Sequence, residues 1–242
     1  MRAGLLSRGM NRPPSPTALP SLPVFDLWPG LTAYADALAL MQDRAAQLRA
    51  GTAPEQIILT EHEPTYTAGS SARDEELLNS GTAEVVRTGR GGQWTWHGPG
   101  QRIIWPVLRL DRRGGDVRGF VRGLEGWMID MLAYFAIEGV RRDGLPGVWV
   151  ARRDIGLPDR LDKIAALGIR VSGWVSQHGI AVNLEPDLTA YDGIVPCGVA
   201  PDSGGVTSLA DLGLLVSMAE LDMAITDTAK YWFGPGKPLG LR

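Results

Sequence analysis

The chain has 242 residues, 44% hydrophobic and 21% charged, with a formal net charge of −3. Such a length holds one large domain or two small ones, with an ordinary globular composition. The charge speaks against a general nucleic-acid binder, no apolar run is long enough to cross a bilayer, and a single cysteine excludes an intramolecular disulfide.

Residues 1–23 are rich in Pro and Ser and carry Arg2, Arg8 and Arg12. No apolar core leads to a cleavage site, so a secretory signal is not expected. The prolines at Pro13, Pro14 and Pro16 break any amphipathic helix, and the segment is read as a disordered tail on a cytoplasmic protein. From Leu31 to Leu48 apolar residues recur at Leu31, Tyr34, Leu38, Met41, Ala45 and Leu48, a helical stripe that Gly51 and Pro54 end. Gln56–Thr60 reads as a strand. Glu61–Gly69, with Pro64 and Gly69, reads as a polar loop, either a plain connection or part of a site.

Glu84–Arg87 is a short strand that runs into Arg90-Gly91-Gly92-Gln93-Trp94-Thr95-Trp96-His97 and on through Gly98-Pro99-Gly100-Gln101. Glycines let the backbone approach a ligand and present its N–H groups. Alternation puts Trp94 and Trp96 on one strand face, with Thr95 and His97 on the other. A plain turn is the competing reading. It is weakened by two tryptophans, a histidine and an arginine in the same dozen residues. Ile103–Leu110 is an apolar strand, with Pro106 suggesting an edge or a bulge.

Val117–Phe135 is a second amphipathic helix with aromatics in the core. Gly147–Val150 and Lys163–Val171 are strands on either side of a charged excursion, Ala151–Asp162, read as a hairpin loop. Ser172-Gly173 turns the chain back into an antiparallel strand, Trp174–Leu184. That strand carries Gln177-His178-Gly179-Ile180-Ala181-Val182-Asn183-Leu184, with His178 at its entrance. Ile194-Val195-Pro196-Cys197-Gly198 follows and holds the only cysteine. Cys197 is either a small buried hydrophobe or a nucleophile on constrained backbone. Lys163, one of three lysines, is either a solvated strand end or a desolvated amine able to act as a base. The histidines His62, His97 and His178 are scattered, which argues against a structural zinc site. Gly205–Leu209 reads as a helix entrance with Thr207 or Ser208 as cap, Ser217 and Glu220 have capping-box spacing, and the tail from Gly234 is loose. Without a regular βα alternation, the expected class is α+β (α/β): a mixed, largely antiparallel β-sheet flanked by helices.

Four blocks resemble one family. Glu61–Gly69, the run RGGQWTWHGPGQ over Arg90–Gln101, KIAALGIRV over Lys163–Val171, and QHGIAVNL followed by IVPCGV are similar in order and spacing to the lipoyl(octanoyl) transferases. These belong to the biotin/lipoate protein ligase superfamily. The resemblance covers roughly residues 55–212; Trp94 and Trp96 depart from the usual pattern, and the insertion before Lys163 is long.

The resemblance implies a single biotin/lipoate ligase-like catalytic domain over 24–234, between the tail 1–23 and a loose end 235–242. The reaction implied is transfer of octanoyl from acyl carrier protein to a lysine of a lipoyl domain, through a Cys197 thioester with Lys163 as general base. Arg90, Gly91, Gly92, Gln93, Trp94, Thr95, Trp96 and His97 are implied to bind the acyl group. So are Ala166, Leu167 and Gly168, and Gly179, Ile180 and Ala181, with His178 close by. Small residues suit a narrow apolar slot, and burial of eight carbons there is worth on the order of 5 kcal/mol. No cofactor is implied: a thioester is already activated, so neither metal nor ATP is needed. The implied acceptors are the lipoyl domains of 2-oxoacid dehydrogenases and the glycine cleavage H protein, and the enzyme is read as a monomer that contacts neither nucleic acid nor membrane. Acyl carrier protein is acidic, so docking requires a local basic patch. Arg112, Arg113, Arg118 and Arg122 form one candidate, and Arg141, Arg142, Arg152 and Arg153 another. Two alternatives stand beside this reading: an ATP-dependent lipoate or biotin ligase, and a non-catalytic binding module with the same fold.

Overall fold

The computed structural model describes residues 21–195 and 204–234. In chain order the strands are β1 (Val24–Thr32), β2 (Gln56–His62), β3 (Thr65–Ala68), β4 (Glu84–Arg87), β5 (Trp94–His97), β6 (Gln101–Val107), β7 (Gly139–Arg142), β8 (Leu145–Arg152), β9 (Leu157–Ser172) and β10 (Val175–Asn183). The helices are α1 (Tyr34–Ala50), α2 (Val117–Ala133) and α3 (Met218–Phe233).

Seven strands form one sheet in the order β1-β2-β6-β10-β9-β8-β7, and β4-β3-β5 form a second. In the large sheet only the β1–β2 pair is parallel. Every residue of β10 is buried, because strands flank it on both edges and helices cover both faces. Helices α2 and α3 cover one face, where Phe120, Trp127, Met131 and Phe233 pack against Ile57, Ile104, Ile180 and Val182. Helix α1 covers the other with Tyr34, Met41, Ala45 and Leu48 against Ile58, Ile103 and Trp105. Truncating a fully buried aromatic such as Trp127 to Ala costs about 3–5 kcal/mol. The mixed α+β class with a largely antiparallel sheet is therefore the observed one.

The helices end where local chemistry says they should. Gly51 takes φ 75° after α1 and donates its N–H to the carbonyls of Gln47 and Leu48. Asp116 caps α2 by accepting from the Arg118 N–H. The Ser217–Glu220 capping box opens α3.

Several expectations change. Leu31 belongs to β1, so the first helical stripe begins at Tyr34. Glu61–Gly69 is mostly strand, split between β2 and β3, because both find hydrogen-bonding partners. Pro106 sits on an interior strand rather than an edge. The β10–β6 register stops at Ile180–Ile104, and beyond it the Ser176 hydroxyl bridges the strands by donating to the Pro106 carbonyl at 2.6 Å and accepting from the Leu108 N–H at 3.0 Å. The missing proline donor is thus tolerated where a side chain replaces the ladder. The Ala151–Asp162 excursion is largely strand, with only a tight turn at Arg153–Gly156. Lys163 consequently lies inside a 16-residue strand. Gly205–Leu209 opens no helix; the Ser208 hydroxyl accepts from Asp211 N–H in a turn, and α3 starts later.

Candidate active site

The acyl-slot residues named from the sequence converge on one cavity of about 290 Å³. Its walls come from the start of the Gly-rich loop, from β5, and from the facing segments of β9 and β10. Those segments pair Ala166 with Ala181, Leu167 with Ile180, Gly168 with Gly179 and Ile169 with His178. All of these residues line the cavity, as do Arg90, Gly91, Gly92, Gln93, Trp94, Thr95 and His97. Trp96 does not. It packs edge-on against the cavity-lining Tyr191, ring centroids 6.0 Å apart, in the cluster that also holds Tyr66 and Trp94. Alternation does not explain this, because Trp94 shares the strand face of Trp96 and still lines the cavity; the two differ in position along β5.

The glycines here are required by close approach. Gly91 N–H donates to the Ile169 carbonyl at 3.0 Å and lays the loop across β9. A Cβ on Gly168 would stand 3.0 Å from the Gly91 carbonyl oxygen, and one on Gly69 would stand 2.2 Å from the Gly92 carbonyl oxygen. Arg90 is a clamp. Its guanidinium donates to the Thr67 carbonyl at 2.6 Å, the Thr67 hydroxyl at 2.9 Å and the Gly91 carbonyl at 3.0 Å. The loop is thereby fastened to β3 on one side and β9 on the other.

A buried polar chain stiffens the wall. His97 Nδ1 lies 2.7 Å from Gln101 Oε1, and His97 Nε2 lies 3.3 Å from the Thr67 hydroxyl. The Gln101 amide nitrogen donates to Asn183 Oδ1 and to the Tyr191 hydroxyl, both at 2.9 Å. This fixes the amide oxygen toward His97, so Nδ1 carries the proton and Nε2 accepts. Burial holds His97 well below the usual histidine range, with the nearby His62 and Arg90 adding to the effect, and raises Tyr191 to about 12.

The three histidines, scattered in sequence, meet in space. His62 and His97 rings are 5.9 Å apart, and both touch Tyr34, at 5.0 and 5.8 Å. Trp105 joins His62 at 5.4 Å and His178 at 6.3 Å. Burial lowers His62 and His178 to about 4, so both are neutral at pH 7. Among the described residues no group of His, Cys, Asp or Glu is arranged to hold a metal ion. Nothing in the order of residues signals this aromatic–imidazole cluster, because its members come from α1, β2, β5, β6 and β10.

Lys163 also lines the cavity, six residues before Ile169 on β9 and so away from the Ile169–His178 pair. Its ammonium lies 4.6 Å from the centroid of the buried Trp149 ring. Its backbone is zipped to the chain that follows the cysteine segment: Lys163 N–H donates to the Gly205 carbonyl at 2.8 Å, and Thr207 N–H donates to the Lys163 carbonyl at 3.0 Å. Asp162, fully buried, secures the junction by accepting from Arg152 and Arg160, both at 2.8 Å, and from the Gly205 N–H. Asp162 was missed because its segment reads as a polar loop, and Arg152, read as part of a docking cluster, is instead its buried partner. Cys197 and the turn around it lie outside the described residues. Ile194 and Val206, on either side of that stretch, both line the cavity.

The basic clusters divide. Arg113 is buried in an ion pair with Glu55 at 2.6 Å, and Arg152 is buried among Asp154, Asp162 and Asp211. Neither can meet a partner. Arg118 and Arg122 are exposed and flank Val121, which lines the cavity. No helix among the described residues is long and apolar enough to cross a membrane.

Residues 33–230 match the family model of the lipoyl protein ligase A/B catalytic domain. The chain is 53% identical over 225 residues to an octanoyltransferase of Chelativorans sp., covering 91% of each chain. It is 55% identical over 201 residues to an octanoyltransferase of Paracoccus denitrificans, covering 81% of this chain and 91% of that one. Its fold is similar to that of a lipoate-protein ligase A structure bound with ATP, with a TM-score of 0.64 at 16% identity over 86% of this chain and 85% of the other. A bipartite lipoate protein ligase from Thermoplasma acidophilum has a TM-score of 0.63 at 14% identity, over 86% and 83%. With a slot whose walls come from the blocks that first suggested it, and with relatives of this identity over most of its length, the chain belongs to the lipoyl protein ligase A/B catalytic-domain family and is an acyltransferase.

Proposed function

We propose that this acyltransferase moves an octanoyl group from the thioester of acyl carrier protein to the ε-amine of a lysine on a lipoyl domain, with residues 24–234 as its catalytic domain. One observation carries the reading. A single small apolar slot has Lys163 at one end, and the residues on either side of the Cys197 stretch line the same slot. The octanoyltransferase relatives support the choice of acyl group.

In the first half-reaction Lys163 takes the Cys197 thiol proton, and the thiolate attacks the thioester carbonyl. The carrier's thiolate leaves and receives that proton. In the second, the acceptor lysine's neutral amine attacks the acyl-enzyme and gives its proton to Lys163. Cys197 then departs as thiolate and recovers the proton. Every proton and acyl group is accounted for without ATP or metal. The donor is acidic, and Arg118 and Arg122 beside the slot offer it a complementary rim. The acceptors in this reading are the lipoyl domains of 2-oxoacid dehydrogenases and the glycine cleavage H protein, and the enzyme works as a cytoplasmic monomer.

Intact-protein mass spectrometry after mixing with octanoyl-acyl carrier protein tests the scheme. Wild type should gain one octanoyl group that hydroxylamine removes, and Cys197→Ser should gain none. Octanoylation of a lipoyl domain without any adduct would replace the covalent route by direct transfer. Labelling only with ATP and free octanoate would make the chain a ligase.

A further inference from the structure

We infer that the aromatic–imidazole cluster at the end of the slot remote from Lys163, formed by Tyr34, Trp105 and His178, sets the longest acyl chain this enzyme accepts. The inference rests on the octanoyl-transfer reading and adds to it the residues that measure the chain.

The β9–β10 register defines the direction of the slot. Lys163 precedes the Ala166–Ala181 pair, and the walls then run through Gly168–Gly179 to Ile169–His178. At about 3.3 Å per residue, the paired walls from Ala166 to Ile169 span roughly 10 Å, about the length of an extended eight-carbon chain. Tyr34 and Trp105 both line the cavity with His178, and all three are at most 3% exposed. The Tyr34 and Trp105 rings meet edge to face at 6.1 Å, and Trp105 meets His178 in the same way at 6.3 Å. The slot therefore ends on packed rings rather than in solvent.

This floor is rigid for local reasons. His178 holds φ 58°, a conformation that a non-glycine residue rarely adopts without surrounding restraint. Its backbone N–H donates to the sulfur of the fully buried Met41, and the next residue, Gly179, has no room for a Cβ against the Ile104 carbonyl. Moving the ring means moving β10. A chain with extra methylenes must therefore overpack the rings.

His178 adds a second barrier. Its Nδ1 is buried and has no hydrogen-bond partner among the described residues. Hydrocarbon pressed against this imidazole takes away what solvation remains and supplies no acceptor or donor, which is costly. Steric and polar effects thus both penalise longer chains.

The test measures kcat/KM for acyl carrier protein loaded with six-, eight-, ten- and twelve-carbon chains, using wild type, Trp105→Leu and Ile103→Phe. Trp105→Leu opens the floor, and its ten-to-eight-carbon ratio should rise about tenfold. Ile103 lines the cavity two residues from Trp105 on the same strand face. Its replacement by Phe shortens the slot, and the preferred chain should fall to six carbons. The two variants move the optimum in opposite directions, so either one that folds suffices. A folded variant with the wild-type chain-length profile overturns the inference. Wild type that transfers no chain of any length would instead overturn the proposed function.

Discussion

At the scale of single residues, Lys163 has two duties that substitution can separate. Its aliphatic stem and charge pack on Trp149, a contact arginine can also make. Arginine cannot release its proton. Lys163→Arg should therefore keep the melting temperature within a few degrees while lowering the octanoyl transfer rate by roughly 10²–10⁴-fold, the range of a lost general base. A variant with near-wild-type rate would remove Lys163 from proton transfer. Gly69 is a positional requirement of another kind. A Cβ there would lie 2.2 Å from the Gly92 carbonyl oxygen, and neither backbone can yield without unseating the loop that Arg90 clamps. Gly69→Ala should cost about 1–3 kcal/mol in urea unfolding and raise KM for the acyl donor. Unchanged stability and KM would show that the loop gives way freely.

At the scale of elements, the histidine cluster ties folding to pH. His62 and His178 are held at about 4 against an ordinary 6.5, chiefly by burial. Between those values the unfolded chain binds protons that the folded chain refuses, so stability rises with pH across that window and is lost as pH falls from about 6.5 toward 4. Each histidine should contribute about 2 kcal/mol to the loss between pH 7 and pH 5. Urea titrations should show it, and His62→Leu should flatten the slope by about one proton whatever its effect on stability at pH 7. An unaltered slope would remove His62 from the linkage. The same cluster marks the limit of what the sequence discloses. Helix α2, the strands β5 and β10, the second half of β9 from Lys163, and the capping box of α3 were legible because each declares itself by local periodicity or a cap. The lining of the cavity was legible because its glycines and small residues come in short contiguous runs. Tyr34 reads as one more core position, and Trp105 as part of an apolar strand. Only the stacking of α1 on β6 and β10 brings them to the slot. The Ala151–Asp162 segment misleads because its charges satisfy one another: Asp162 is fully buried in partnership with Arg152 and Arg160, and a charged strand held in this way looks like a loop to any reading of hydropathy.

At the scale of the whole molecule, the proposed reaction asks a chain with net charge −3 to receive an acidic donor, and the distribution of its arginines bears on where. Among the described residues Arg90, Arg102, Arg113 and Arg152 are buried and spent internally. Arg113 is locked to Glu55 and to the Phe233 carbonyl beneath α3, so Arg113→Glu should strand a buried carboxylate and cost about 3–5 kcal/mol without informing on docking. Arg118 and Arg122 are different. They are exposed on α2 on either side of Val121, which lines the slot together with Lys163, so a partner held there would sit beside the slot. Charge at a rim acts mainly on encounter and is screened by salt. The double variant Arg118→Glu/Arg122→Glu should therefore raise KM for octanoyl-acyl carrier protein about tenfold at low ionic strength. The difference from wild type should shrink as salt is added. The rate with a small neutral octanoyl thioester, which needs no docking surface, should stay as it was. Equal KM values at low salt would move the docking face away from α2, and a matching loss with the small thioester would show that the substitutions disturb the slot itself.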